Sequence, residues 1–134
     1  MKTEEIESVI TNNINLTNFG LMEVSDSNYI KARKDLYSNL NTVSECIDWM
    51  SANYVANVST KNLSSSYGLK HIIEKDLGHY VSNGCLVAAV EALHISCKKF
   101  DQSDSNIYLP FNLKSLNEIK QRINDRCIQT KILS

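Results

Sequence analysis

From Asn83 to Leu93 the chain reads Asn-Gly-Cys-Leu-Val-Ala-Ala-Val-Glu-Ala-Leu, and Glu91 is its one charge. A helix apolar on nearly all sides is buried on nearly all sides, so this stretch predicts a core helix. Ser82 or Asn83 starts it, because a short polar side chain there can accept from the free N–H groups of the first turn. Ahead of it, Leu69, Ile72, Ile73 and Leu77 fall at the spacing of one helix face. Ser65 or Ser66 caps that helix, and Gly78 supplies the left-handed residue that commonly closes one. Two helices joined by a tight turn are therefore the centre of the expected fold.

The pattern elsewhere is weaker. Residues 3–11 predict a short helix capped by Thr3, with Glu4 and Glu5 in the first turn where the helix dipole favours them. Ile14, Leu16, Phe19 and Leu21 then alternate with Asn and Thr, which fits a loop or a short edge strand. The first 25 residues are the segment expected to be flexible. From Asp26 a helical face follows through Tyr29, Ile30, Arg33, Leu36, Tyr37 and Leu40, ending at Asn39 or Asn41. Thr42 and Glu45 have capping-box spacing for a further helix, whose stripe is Cys46, Trp49, Met50, Tyr54 and Val55. Trp49 is read as the anchor of that helix in the core.

Residues 57–66 are polar and Ser-rich and mark an internal hinge. Between Ser96 and Phe111 two short apolar runs flank Asp-Gln-Ser-Asp-Ser-Asn, the pattern of a β-hairpin, with Pro110 limiting the second strand to an edge or an end. Ser115 and Glu118 repeat the capping-box spacing ahead of a last helix, with Leu116, Ile119, Ile123 and Cys127 on its apolar stripe. The expected fold is thus mainly α, a single domain over 1–134 of five to six helices with a small β-hairpin between the last two. No internal repeat is visible.

Composition narrows the class. Hydrophobic residues at 43% and charged residues at 22% are ordinary for a globular chain. No apolar run reaches the ~18 residues that span a bilayer, and the acidic start Met-Lys-Thr-Glu-Glu lacks a secretory signal, so a cytoplasmic protein without a membrane partner is expected. Cys46, Cys85, Cys97 and Cys127 form no C-x-x-C pair, and free buried thiols are the expectation. Residues 1–60 carry four Lys/Arg against eight Asp/Glu, and residues 61–134 carry ten against seven. That split permits a nucleic-acid contact and equally fits solvated faces.

The order helix, turn, helix, hairpin also matches a winged helix-turn-helix. Base reading needs Arg, Lys, Asn or Gln on the second helix, and beyond Asn83 it has none. DNA contacts would fall to Lys98 and Lys99 on the hairpin, or to Lys120, Arg122 and Arg126 on the last helix. Lys31, Arg33 and Lys34 are followed by Asp35 and read as a solvated face.

An active site would come from His71, Glu74, His79 and Tyr80. His71 and Glu74 share a helix face, and an imidazole beside a carboxylate can act as a general base or ligate a metal. The commoner explanation of such a pair is structural, a His hydrogen-bonding near a helix end. His94 is read as a core or boundary histidine. Walker, G-x-G-x-x-G, G-x-S-x-G and H-E-x-x-H motifs are absent, and no cofactor is expected.

Ser65-Ser66-Tyr67-Gly68-Leu69-Lys70-His71, then Glu74, then Gly78-His79-Tyr80-Val81-Ser82-Asn83-Gly84, the Ala-rich helix and a later Asn106 resemble a group of small uncharacterised bacterial proteins. That group is often carried on plasmids and other mobile elements. The resemblance covers residues 60–112 and brings no activity with it. It marks Tyr67, Lys70, His71, Glu74, His79, Tyr80 and Asn83 as a candidate binding surface, with a fold-defining polar network as the competing reading. The functional expectation is a non-enzymatic mobile-element protein acting by protein contact, of accessory or anti-defence type, with a homodimer also allowed. A winged-helix DNA-binding regulator is the alternative, and an enzyme using His71, Glu74 and His79 the third.

Overall fold

The computed structural model describes residues 1–57, 59 and 61–133. In chain order the described residues form α1 (Thr3–Asn12), β1 (Leu16–Thr17), β2 (Gly20–Leu21), α2 (Tyr29–Tyr37), α3 (Leu40–Asn53), β3 (Ser64–Ser65), α4 (Ser66–Leu77), α5 (Asn83–Ala92), β4 (Tyr108–Leu109) and α6 (Leu113–Leu133). The architecture is mainly α, with six helices and two small antiparallel strand pairs among the described residues.

α5 is the hub. Every residue from Asn83 to Val90 is buried, and the helix touches α1, α3, α4 and both strands of the β1–β2 hairpin. The small side chains Ala88 and Ala89 and the absence of a side chain at Gly84 let these neighbours approach from all round. Burying its Leu and Val side chains contributes roughly 1.5–3 kcal/mol each. Ser82 caps α5 by accepting from the Cys85 N–H at 3.1 Å, and Ser65 caps α4 by accepting from the Gly68 N–H at 3.0 Å, both as expected. Gly78 closes α4 with φ +83°. The Gly78 N–H bonds the Glu74 carbonyl at 2.8 Å, and Arg126 reaches the Lys75 and Asp76 carbonyls beyond it.

Several local expectations are corrected. α1 is preceded by Lys2 and has no side-chain cap, so Thr3 is its first residue rather than its cap. Thr42 lies inside α3, which begins at Leu40 directly after the turn; no capping box forms, and Glu45 is free to bond elsewhere. α6 is capped by Asn112, whose Oδ1 accepts from the Ser115 N–H at 3.0 Å, so Ser115 sits in the first turn. Ile30 is 82% exposed, and Ala32 takes its place on the buried face of α2. Val55, too, is exposed, and Cys127 lies exposed beyond the buried Leu116, Ile119 and Ile123 of α6.

The expected hairpin between the last two helices is reduced to one bridge, Lys98 opposite Tyr108. The ladder instead pairs β4 with β3, Ser64 opposite Leu109 and Ser65 opposite Tyr108. Part of the Ser-rich segment read as a hinge is therefore held in a strand pair; Val58 and Thr60 of that segment lie outside the described residues. At the front of the chain, β1 and β2 form a hairpin in which Leu16 and Thr17 are fully buried, so this segment belongs to the core rather than to a loose arm.

Arg33 is not solvated as expected. Its guanidinium donates to the carbonyls of Ile10, Asn13, Ile14 and Leu16 at 2.9–3.1 Å, stitching the C-terminal end of α1 to β1. Its charge faces the carbonyl end of the α1 dipole, the favourable sense. The Tyr29 and Tyr37 rings flank it at 5.9 and 5.6 Å.

His94 is exposed rather than a core residue, and it closes α5 with φ +55°. The His94 N–H reaches the Glu91 carbonyl and the Ile95 N–H the Val90 carbonyl, both at 3.1 Å, a Schellman pair. The position suits glycine. We expect His94→Gly to raise stability by about 0.5 kcal/mol, the relief of the left-handed backbone outweighing the added freedom of the unfolded chain. Urea unfolding reads this, and a variant less stable than the parent would count against strain at this residue.

Candidate functional site

Four segments converge at the N-terminal end of α5. The tip of the β1–β2 hairpin brings Asn18 and Phe19, α4 brings Tyr67 and Lys70, the α4–α5 turn brings Tyr80 and Asn83, and the approach to β4 brings Ser105 and Asn106. Together they line an open cleft of about 370 Å³. The hairpin tip can reach α5 because residue 84 is glycine: its N–H bonds the Asn18 carbonyl at 3.0 Å. Ser82 Oγ donates to Asn18 Oδ1 at 2.8 Å.

Lys70 is 6% exposed, unusual for a lysine, and every part of its charge is met. Nζ donates to Glu74 Oε1 at 3.0 Å and to the Val81 carbonyl at 3.2 Å. It also stands 4.7 Å from the Tyr80 ring centroid and 5.4 Å from that of Tyr67. Glu74 Oε1 accepts from the Val81 N–H at 3.1 Å as well, and Oε2 meets His71 Nδ1 at 2.9 Å. Burial opposes ionisation of Glu74, but the bonds from Lys70, Val81 and His71 outweigh it and hold its carboxyl below the usual range. Lys70 and Glu74 thus fix α4 to the turn and aim two tyrosines outward.

Asn83 is 7% exposed, and its Nδ2 donates to the Phe19 carbonyl at 2.9 Å and the Ser105 carbonyl at 3.4 Å. Two carbonyl oxygens select the amide nitrogen as the atom that faces them. The other end, Oδ1, is buried without a hydrogen-bond partner. A buried amide oxygen left unmet is a sizeable desolvation penalty, about 1–3 kcal/mol. Three exposed aromatic residues line the same cleft, Phe19 at 59%, Tyr67 at 55% and Tyr80 at 71%.

The sequence-marked surface is therefore divided. Tyr67, Lys70, Tyr80 and Asn83 line the cleft. His71 and His79 are not among its lining residues. His71 lies on the outer side of α4 against the Tyr67 ring, with centroids 4.7 Å apart. His79 Nε2 meets Glu45 Oε2 at 3.0 Å and its Nδ1 meets the Tyr80 carbonyl at 3.0 Å, tying the turn to α3. Both ring nitrogens face acceptors, so the doubly protonated imidazolium is favoured: the Glu45 bond foremost, then the Tyr80 carbonyl, raise the His79 pKa above 6.5. Stability from this contact is full below the unfolded value and is lost as pH rises through the folded one. We expect an NMR titration to find His79 above 6.5 and Glu45→Gln to lower it; a midpoint at or below 6.5 would show the Glu45 bond absent in solution.

The basic residues marked for nucleic acid are spread over several contacts. α5, the helix that a winged-helix protein would place in the groove, is inside the core. Lys98 is exposed in its bridge to Tyr108, and Lys99 follows it. Arg122 Nη2 and Arg126 Nη1 each meet an Asp76 carboxylate oxygen at 2.8 Å, while Lys120 borders depressions between α4 and α6. Burial pushes up the thiols of Cys46, Cys85 and Cys97, which keeps them protonated. Among the described residues no three His, Cys, Asp or Glu side chains are grouped to hold a metal, and no helix is long and apolar enough to cross a membrane.

Asn18, Phe19 and Ser105 were not marked by the sequence. Phe19 sits in an Asn-Phe-Gly turn, and an aromatic residue at a turn tip between Asn18 and Gly20 is the signal that could have found it. Comparison of the chain with protein families, with characterised proteins and with solved structures finds no match.

Proposed function

We propose that this is a small non-enzymatic binding protein which engages a partner protein through the cleft at the N-terminal end of α5, and, on the sequence resemblance of residues 60–112, that it is an accessory or anti-defence factor of a bacterial mobile element. The observation that carries this reading is the group of exposed aromatic residues, Phe19, Tyr67 and Tyr80, that lines the cleft. Aromatic side chains with an apolar face and a polar edge are the residues that dominate protein interfaces. Lys70 and Glu74 hold the site in shape without offering a free charge.

The winged-helix and enzyme readings draw less from the geometry. α5 offers a groove no face. The His71–Glu74 pair orients an imidazole, but on the outer side of α4 and away from the cleft lining.

The test is affinity capture from bacterial lysate with and without nuclease, comparing the parent chain with Tyr67→Ala/Tyr80→Ala. Both tyrosines are more exposed than buried, so the variant keeps its fold, which circular dichroism verifies. A nuclease-resistant protein retained by the parent and lost by the variant supports the reading. Capture of nucleic acid alone, or of partners indifferent to the tyrosines, overturns it.

A further inference from the structure

Ser105 is shared between the aromatic cleft and a second depression of about 360 Å³, lined by Leu21, Met22, Glu23, Ser25, Asp26, Gln102 and Ser103 besides Ser105 itself. The two hollows therefore adjoin across one residue, aromatic at one end and acidic at the other. Glu23 and Asp26 are exposed, and among the described residues no ion pair joins either of them to a cation. Asp101 and Asp104 flank the lining residues Gln102 and Ser103 in sequence. Turn bonds, foremost those from Ser103 to Asp101 and from Asn106 to Asp104, hold their carboxyls below the usual range and so ionised. Lys99 is the cation whose charge reaches both, and it leaves the rim net negative.

Building on the protein-binding reading above, we propose that the two hollows together receive one extended basic segment of a partner polypeptide. A flat or apolar side chain of that segment lies among Phe19, Tyr67 and Tyr80, and a neighbouring Lys or Arg meets Glu23 and Asp26. The side chain among the aromatics is uncharged because the Lys70 ammonium already stands over the Tyr67 and Tyr80 rings, and a second cation there would be repelled. The cationic residue belongs at the acidic end, where carboxylates await a partner. The same charge pattern disfavours a nucleic acid: its bases could stack on the aromatics, but its phosphates would then run past Glu23, Asp26 and the flanking aspartates.

Selection from a random peptide library on the immobilised full chain tests this, with a single-stranded oligonucleotide as a parallel probe. Enriched peptides are expected to carry Lys or Arg beside an aromatic or aliphatic residue. Glu23→Lys/Asp26→Lys, both at exposed positions, is expected to weaken those peptides about tenfold or more, the scale of one or two charge-assisted contacts. The Asn83 side-chain amide resonances of the parent chain shift on peptide addition. Tyr80-dependent peptides with no basic preference would overturn the basic-segment assignment while leaving the protein-binding reading intact. Unmoved Asn83 resonances, a selection that enriches nothing, or tighter binding of the oligonucleotide than of any peptide would overturn it as well. The protein-binding reading itself fails only in the lysate capture, so the two failures are told apart.

Discussion

Replacing Gly84 with alanine is expected to lower stability by about 3 kcal/mol, the upper range for forcing extra volume into a packed core. A Cβ at this position would stand 1.9 Å from the Thr17 carbonyl oxygen, 2.7 Å from Asn18 Cα and 2.8 Å from Asn18 C. All three are backbone atoms, so no rotamer change relieves the overlap. The hairpin must withdraw, which breaks the Gly84 N–H bond to the Asn18 carbonyl and the Ser82 bond to Asn18 Oδ1. Alanine's better helix propensity, worth at most about 1 kcal/mol, does not offset this. Urea unfolding should show a lower midpoint with an unchanged slope, and because Asn18 and Phe19 move with the hairpin, cleft binding should fall with it. A variant as stable as the parent would show that the hairpin does not press on α5.

Asp76→Ala has the second largest expected effect, about 2–4 kcal/mol, because the carboxylate joins three helices. Oδ2 accepts from the Trp49 indole N–H on α3 and from Arg122 on α6, and Oδ1 meets Arg126, each at 2.8 Å. Arg126 also bonds the Lys75 and Asp76 carbonyls at the end of α4, where a cation suits the helix dipole. Without the carboxylate, the indole N–H of the buried Trp49 is left unmet and α6 loses its ionic hold on α4. Burial opposes ionisation of Asp76, but the Trp49 and Arg126 bonds and the two arginine charges outweigh it and place its pKa below 3.8. A lowered folded value means this stability is present above the unfolded pKa and lost as pH falls through the folded one. The gap between parent and variant should therefore be widest near neutrality and narrow below 3.8; a gap that does not change with pH would remove the charge from the account.

The helices were legible where their own side chains decide them. α5 announces its burial by composition, and Ser65, Ser82 and Gly78 act within their own turns. Boundaries failed where two local solutions compete. Thr42 and Ser115 have capping-box spacing, yet α3 starts at Leu40 and Asn112 reaches the Ser115 N–H first. Long-range pairings carried no local mark: a Ser-rich run reads as loop whether or not Tyr108 and Leu109 are there to pair with it. Arg33 looked solvated because its acceptors are carbonyls some twenty residues away, and carbonyls leave no trace in side-chain patterning. The site divides in the same way. Tyr67, Lys70, Tyr80 and Asn83 lie within one helix-turn-helix and could be read together, whereas Phe19 and Ser105 join them only through tertiary packing.

That division has a kinetic side. α4 and α5 are adjacent along the chain, and Lys70 meets Val81 across a single turn, so their contacts close a short loop. The Asn83 bonds to Phe19 and Ser105 span 64 and 22 residues, and loop-closure entropy delays such contacts until much of the chain is ordered. The cleft therefore closes only after residues far apart in the chain have met, later than the contacts between α4 and α5. The cleft is in that sense a property of the finished chain rather than of the helix pair at its centre.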